Sequence, residues 1–110
     1  MGRLRAGVND MPKQMFIVPT KLSEYILLGN GKKLYLTEHS KQRIKTRKIS
    51  DEDIKKTFEH PDITIPNSDY SNAKNYIKRI NDRDDKLQLG VKDEGEPFVL
   101  ITAFVKNSSI

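Results

Sequence analysis

The chain has 110 residues, of which 35% are hydrophobic and 32% charged, and this balance predicts a single domain with a small core. Its formal net charge of +5 favours a polyanionic partner such as nucleic acid, an anionic membrane surface or an acidic protein. Cysteine is absent, which excludes a disulfide framework and a thiolate zinc site, and we expect neither a structural metal nor a cofactor. No stretch has the apolar length of a membrane span, so we expect no membrane anchor.

Residues 1–14 combine glycine, proline and scattered charge without periodicity, which is typical of a linker or flexible lead. We therefore assign residues 15–110 to one domain. The first strands are expected at residues 16–18, 25–28 and 34–36, the last two forming a hairpin around Asn30-Gly31.

Two helices follow the hairpin. Thr37 is a good N-cap for a helix that runs to about Lys48, and Ser50 caps a second helix that ends before Pro61. Further strands are expected at residues 62–65, 73–81, 86–92 and 97–105. This order predicts an α+β fold in which two N-terminal helices pack on a four- to five-stranded antiparallel sheet. The last strand is apolar on both faces and should be central.

The first helix carries little apolar surface, since Ile44 is almost the only large apolar residue between His39 and Arg47. His39, Arg43 and Arg47 recur at four-residue steps, and at about 100° per residue they form one stripe. One imidazole beside two permanent cations indicates a place to bind and cleave a phosphodiester. A solvated face whose cations pair with carboxylates explains the same pattern. The stripe is flanked by Lys41, Lys45 and Lys48.

Three strand residues carry polar groups that could converge on this stripe. Thr102 is the one hydroxyl in the apolar last strand, and Tyr76 and Lys78 share a face of an earlier strand. Together they would supply donors for phosphate oxygens. Each also has an ordinary structural explanation, because threonine and tyrosine favour strands and lysine protects exposed ones.

The pattern LTEHSKQRIKTRKISDEDIKKTFEHPD, followed by NYIKRI, LQLGV and FVLITAFV, resembles the small RelE-like toxin domains. Their hallmark is a histidine, two arginines at four-residue steps and a second helix with the pattern Ile-Ser-x-x-x-Ile. They belong to the barnase, EndoU, colicin and RelE ribonuclease group, which includes toxin-antitoxin ribonucleases and contact-dependent inhibition toxins. The resemblance covers residues 36–105 and implies a RelE/barnase-like fold.

The resemblance also implies metal-independent RNA cleavage, in which the ribose 2′-hydroxyl attacks the adjacent phosphorus and leaves a cyclic phosphate. His39 then matches the histidine that acts as general acid or general base. The residue that would supply the second proton-transfer group is unassigned. The implied catalytic residues are His39, Arg43, Lys78 and Thr102. The implied substrate-binding residues are Arg47, Tyr76, Lys41, Lys45 and Lys48.

The function predicted in this way is that of a toxin ribonuclease acting on tRNA or ribosome-bound mRNA in the bacterial cytoplasm. An acidic cognate antitoxin or immunity protein would hold it in check. A stand-alone gene and the C-terminal toxic module of a larger secreted protein fit equally well. Two other functions stay open, namely a non-catalytic RNA- or DNA-binding module and a basic domain that docks an acidic protein.

Overall fold

A computed structural model describes residues 13–107, so most of the predicted lead lies outside the described residues. The elements in chain order are β1 Tyr25–Leu27, β2 Lys33–Leu36, α1 Glu38–Arg47, α2 Asp51–Glu59, β3 Ile63–Pro66, β4 Ala73–Arg79, β5 Lys86–Lys92 and β6 Phe98–Lys106. Both helices and the last four strands lie close to their predicted positions. Within residues 13–107, neither helix is long and apolar enough to cross a membrane.

The six strands form one mixed sheet in the order β1-β2-β6-β5-β4-β3. β2 runs parallel to β6, and the other neighbours are antiparallel. The prediction of two N-terminal helices on a four- to five-stranded antiparallel sheet is therefore wrong. A hairpin precedes the helices and joins the main sheet, and strands hold more residues than helices. The physical reason is that β2 buries Leu34 completely beside a strand from the far end of the chain, a pairing that local sequence does not specify.

Residues 16–18 do not form the predicted strand. The Phe16 N–H donates to Asn72 Oδ1 at 2.8 Å, and the Phe16 carbonyl accepts from Asn72 Nδ2 at 3.1 Å. Gln14 forms an isolated parallel bridge with Tyr70. The side-chain amide of Asn72 thus makes the hydrogen bonds that a neighbouring strand would make. Pro19 has no backbone N–H, so it cannot donate the hydrogen bond that a longer strand would need.

β6 lies between β2 and β5, which confirms that the last strand is central. The apolar core lies on the side of the sheet that α2 covers, where the second helix contributes Ile54. The core residues with no exposed surface include Leu34, Ile54, Leu87, Leu89, Val91 and Leu100.

α1 begins as predicted at Thr37, whose hydroxyl accepts from the Ser40 backbone N–H at 3.0 Å. The Ser40 hydroxyl in turn accepts from the Thr37 N–H at 2.9 Å, which completes a reciprocal cap. Ser40 is fully buried and Ile44 packs against the core. A narrow buried stripe is therefore enough to pack the helix against the sheet.

α1 runs beside β6 at the point where β2 ends. β2 pairs with β6 only over residues 98–100. The Thr37 hydroxyl donates to the Leu100 carbonyl at 3.3 Å, and Arg47 Nη1 donates to the Ala103 carbonyl at 3.4 Å. The helix is therefore fastened to the central strand at both ends, and this attachment sets the direction of its cationic stripe.

Candidate functional site

The sheet register separates the predicted strand residues onto two faces. Tyr76 pairs with Leu89, and Leu89 pairs with Ala103, so the three share the face that carries the core. We call this the helix face. Lys78 lies on it too, two residues after Tyr76. Thr102 precedes Ala103 in β6 and therefore lies on the opposite face, which we call the groove face.

A groove of about 630 Å³ lies between α1 and β6, and we call it the cationic groove. Its lining residues are Arg43, Arg47, Thr102, Phe104, Val105 and Asn107. Neither guanidinium forms an ion pair with a carboxylate within residues 13–107. One Arg47 nitrogen holds the Ala103 carbonyl, which leaves its other N–H donors facing the groove. The groove therefore presents guanidinium donors of the kind that bind anions.

A second concavity of about 620 Å³ adjoins the groove, and we call it the aromatic pocket. Phe16 and Tyr70 supply its aromatic wall, and His39 lies exposed at its rim. Thr102 lines both concavities, so the pocket and the groove meet at this hydroxyl. The structure thus brings His39, Arg43, Arg47 and Thr102 along one continuous surface.

His39 and Arg43 are in direct contact. Arg43 Nε donates to His39 Nε2 at 3.4 Å, so this ring nitrogen is the acceptor and the ring proton is assigned to Nδ1. If Arg43 Nε turns to an anion, the Nε2 lone pair is released and can remove a proton while the guanidinium holds the neighbouring negative charge. No group of three or more His, Asp or Glu side chains within residues 13–107 could hold a metal ion.

The floor under Thr102 is shaped by residues that the sequence analysis missed. A Cβ on Gly90 would lie 3.2 Å from Thr102 Cγ2 and 3.4 Å from Asn67 Nδ2. Asn67 Nδ2 also donates to Asn75 Oδ1 at 2.8 Å. Close packing therefore fixes Thr102. Gly90 inside an apolar strand was the available signal, since such a glycine often marks a close approach.

Lys78 and Tyr76 do not reach this surface. Lys78 Nζ donates to the His60 carbonyl at 2.9 Å and lies 3.6 Å from Asp62 Oδ1. The Tyr76 hydroxyl donates to the Asp93 carboxylate. Burial, reinforced by this bond, raises the pKa of Tyr76, so the phenol keeps its proton near neutrality. Both donors already have partners on the helix face.

The flanking lysines differ in their partners. Lys41 Nζ lies 2.8 Å from Glu38 Oε2 and 3.2 Å from Glu24 Oε2. Hydrogen bonds to Glu38 and then Glu24 raise the pKa of Lys41, and they tie the segment before β1 to α1. Lys45 and Lys48 are exposed and line neither concavity. Of the three, Lys41 alone borders the aromatic pocket.

Residues 36–105 match a family described as a domain of unknown function, DUF4258. The chain belongs to this family. The DUF4258 region runs from the end of β2 to β6, and it contains the whole stripe of α1 together with Thr102. Phe16, which forms part of the aromatic wall, lies before it. No curated protein and no solved structure matches the chain.

Proposed function

We propose that this DUF4258 protein is a metal-independent toxin ribonuclease that cleaves tRNA or mRNA through a 2′,3′-cyclic phosphate. The observation that carries the proposal is the continuous surface on which His39 and two guanidiniums, which have no carboxylate partner among residues 13–107, meet Thr102. The resemblance of the same residues to RelE-like toxins supports this choice of reaction.

In the proposed reaction the ribose 2′-oxygen forms a bond to phosphorus while the bond to the 5′-oxygen breaks. His39 Nε2 accepts the 2′-hydroxyl proton once Arg43 Nε turns from the imidazole to a phosphate oxygen. Arg43, Arg47 and Thr102 stabilise the charge that grows on the phosphate oxygens. Protonated His39, directly or through water, returns the proton to the departing oxygen. The products are a cyclic phosphate and a 5′-hydroxyl.

The proposal extends to partners and place of action. A net charge of +5 and the open cations of the groove suit RNA, and they suit an acidic antitoxin or immunity protein that competes for the same surface. Action in the bacterial cytoplasm follows from the RNA target. Delivery as the toxic module of a larger secreted protein and expression from a stand-alone gene are both compatible with this function.

One observation favours a second function, a non-catalytic RNA-binding module. Lys78 and Tyr76 are bonded on the helix face, so they add neither an acid nor a base to the groove. His39 is left as the one imidazole beside the groove, at the rim of the aromatic pocket, because the other histidine of the chain, His60, lies at the end of α2. In that function the groove would hold RNA without cutting it.

The two functions separate in one experiment with purified protein, total bacterial RNA and EDTA. We expect wild-type protein to cleave, and His39→Ala to lose at least about 100-fold in rate, because general acid–base catalysis contributes about 10² to 10⁴. His60→Ala is the matched control, since His60 is also exposed, and it should cleave like wild type. Mass spectrometry of the products should find cyclic phosphate ends.

Retention of RNA without cleavage by wild type and both variants would replace the ribonuclease proposal with the binding module. Cleavage that survives His39→Ala unchanged would remove His39 from the chemistry and refute the mechanism. Bacterial growth on induction, with and without the neighbouring gene, tests the toxin and inhibitor parts of the proposal separately.

A further inference from the structure

The aromatic pocket lies beside the cationic groove and differs from it in chemistry. We infer that this pocket binds a nucleobase next to the scissile phosphate of the RNA, and that Asp69 makes guanine the preferred base. The inference rests on the proposed function for the identity of the ligand as RNA. It adds a site for base selection that uses residues before the DUF4258 region.

The pocket has the wall that a planar base requires. The Phe16 and Tyr70 rings stand edge to face, with centroids 5.3 Å apart and planes at 85°. Both side chains are half-buried and line the pocket together with the apolar residues Ile17, Leu22 and Ile101. Aromatic side chains stack on unpaired RNA bases, and a pocket of about 620 Å³ is within the usual range for small ligands.

The aromatic wall is held in place before any ligand arrives. Asn72, only 3% exposed, makes both of its side-chain hydrogen bonds to the backbone of Phe16. The Ser71 N–H donates to the Gln14 carbonyl at 2.9 Å. These bonds dock the segment that carries Phe16 onto the loop that carries Tyr70. The pocket is therefore part of the folded structure.

Asp69 gives the pocket its selectivity. Asn67 Oδ1 accepts from the Asp69 N–H at 2.8 Å and fixes the backbone, while the Asp69 carboxylate has no partner within residues 13–107. A carboxylate only accepts hydrogen bonds and repels phosphate, so it suits a base edge rather than the RNA backbone. Guanine presents two adjacent N–H donors, whereas the single ring N–H of uracil lies between two acceptors. The other two carboxylates at the pocket, Glu24 and Glu38, are already paired with Lys41.

The position of the pocket fits one nucleotide. Because Thr102 lines both concavities, a base in the pocket and its phosphate in the groove would be joined by a ribose near Thr102. His39 borders the pocket and contacts Arg43 of the groove, so it lies close to the same junction. Base binding and cleavage would then act on the same nucleotide.

The pocket can be tested by binding alone. We would follow the protein by two-dimensional NMR during titration with GMP, AMP, CMP and UMP. GMP should bind at least about tenfold more tightly than UMP, with shifts at Tyr70, and Asp69→Asn should abolish that ratio, because a good bidentate contact gives roughly tenfold discrimination or more. Tyr70→Ala should weaken all four nucleotides about tenfold, since stacking is insensitive to sequence.

Asp82→Asn is the matched control, because Asp82 is an exposed carboxylate that does not line the pocket, and it should bind like wild type. A short guanosine-containing oligoribonucleotide should bind more tightly than GMP. Equal affinities for the oligoribonucleotide and for GMP would overturn the assignment of the pocket to RNA. Equal binding of the four nucleotides would overturn the guanine preference assigned to Asp69, and shifts confined to Arg43 and Arg47 would overturn the base pocket itself.

Mapping of cleavage sites on a mixed-sequence RNA separates this inference from the proposed function. Cuts next to guanosine in wild type that lose this bias in Asp69→Asn would support both. Cleavage without base preference in wild type would refute base selection by the pocket and leave the ribonuclease intact. GMP binding at Tyr70 without any cleavage would refute the ribonuclease and leave the base pocket of a binding module.

Discussion

The cationic groove and the helix face of the sheet carry similar polar groups, but these groups differ in their partners. At the groove, Arg43 and Arg47 have no carboxylate partner within residues 13–107. On the helix face, Lys78 is bonded to the His60 carbonyl and Tyr76 to Asp93. The comparison shows that the presence of a donor does not make it available to a ligand. The unmet charges are what distinguish the candidate site.

The largest expected contrast is between a cation of the groove and a cation of the helix face. Arg43→Ala should lower the rate of RNA cleavage by about 10² to 10³, the usual effect of removing a donor to the developing charge. Lys78→Ala should change the rate less than about threefold, because its ammonium is held by His60 and Asp62. Single-turnover cleavage of one labelled RNA measures both. A larger loss in Lys78→Ala would mean that the helix face takes part in the reaction.

A smaller contrast is expected between two threonines. Thr102→Val keeps the shape and removes the hydroxyl, and it should cost about tenfold in cleavage rate, since a hydrogen bond to a charged group contributes about 1.5–3 kcal/mol. Thr64→Val is the control, because Thr64 is exposed on the edge strand β3. The cleavage rates of the two variants at saturating RNA measure this difference. Equal rates for the two variants would show that Thr102 serves packing alone.

Tyr76→Phe should leave the rate of RNA cleavage unchanged. We expect it to change the stability of the protein instead. Losing the hydrogen bond to Asp93 should lower the free energy of unfolding by about 1 kcal/mol. Because the pKa of Tyr76 is raised by folding, the folded protein keeps the phenol proton above about pH 10 while the unfolded chain releases it. Wild type should therefore lose stability as the pH rises past about 10.

In Tyr76→Phe this part of the pH dependence should be missing. Urea unfolding of both proteins at pH 7 and above pH 10 would measure the difference. The same slope in the two proteins would assign the alkaline loss of stability to other groups.

Local patterns in the sequence predicted much of the structure. Thr37 and Ser50 cap their helices as expected, because capping depends on neighbouring residues alone. The stripe of His39, Arg43 and Arg47 follows from the helical period, and the structure keeps it together along one side of α1. These features needed no knowledge of the rest of the chain.

The features that the sequence did not predict depend on contacts between distant segments. The parallel pairing of β2 with β6 decides the sheet order, and the cross-strand register decides that Thr102 and Lys78 lie on opposite faces. The two-residue period relates residues within one strand and cannot relate two strands. The docking of Phe16 on Asn72 is likewise a distant contact, so a segment predicted as a strand became a pocket wall.

The fastening of α1 to β6 at Thr37 and Arg47 has a consequence for affinity. A helix attached to an inner strand has little freedom to rock or slide, so its backbone is already ordered when a ligand arrives. Binding then loses side-chain entropy but almost no backbone entropy, and preorganisation of this kind leaves more of the interaction energy as affinity. A mutation that loosens either end should therefore weaken binding through lost order of the helix, as would be seen for Thr37→Val, which removes the hydrogen bond to the Leu100 carbonyl.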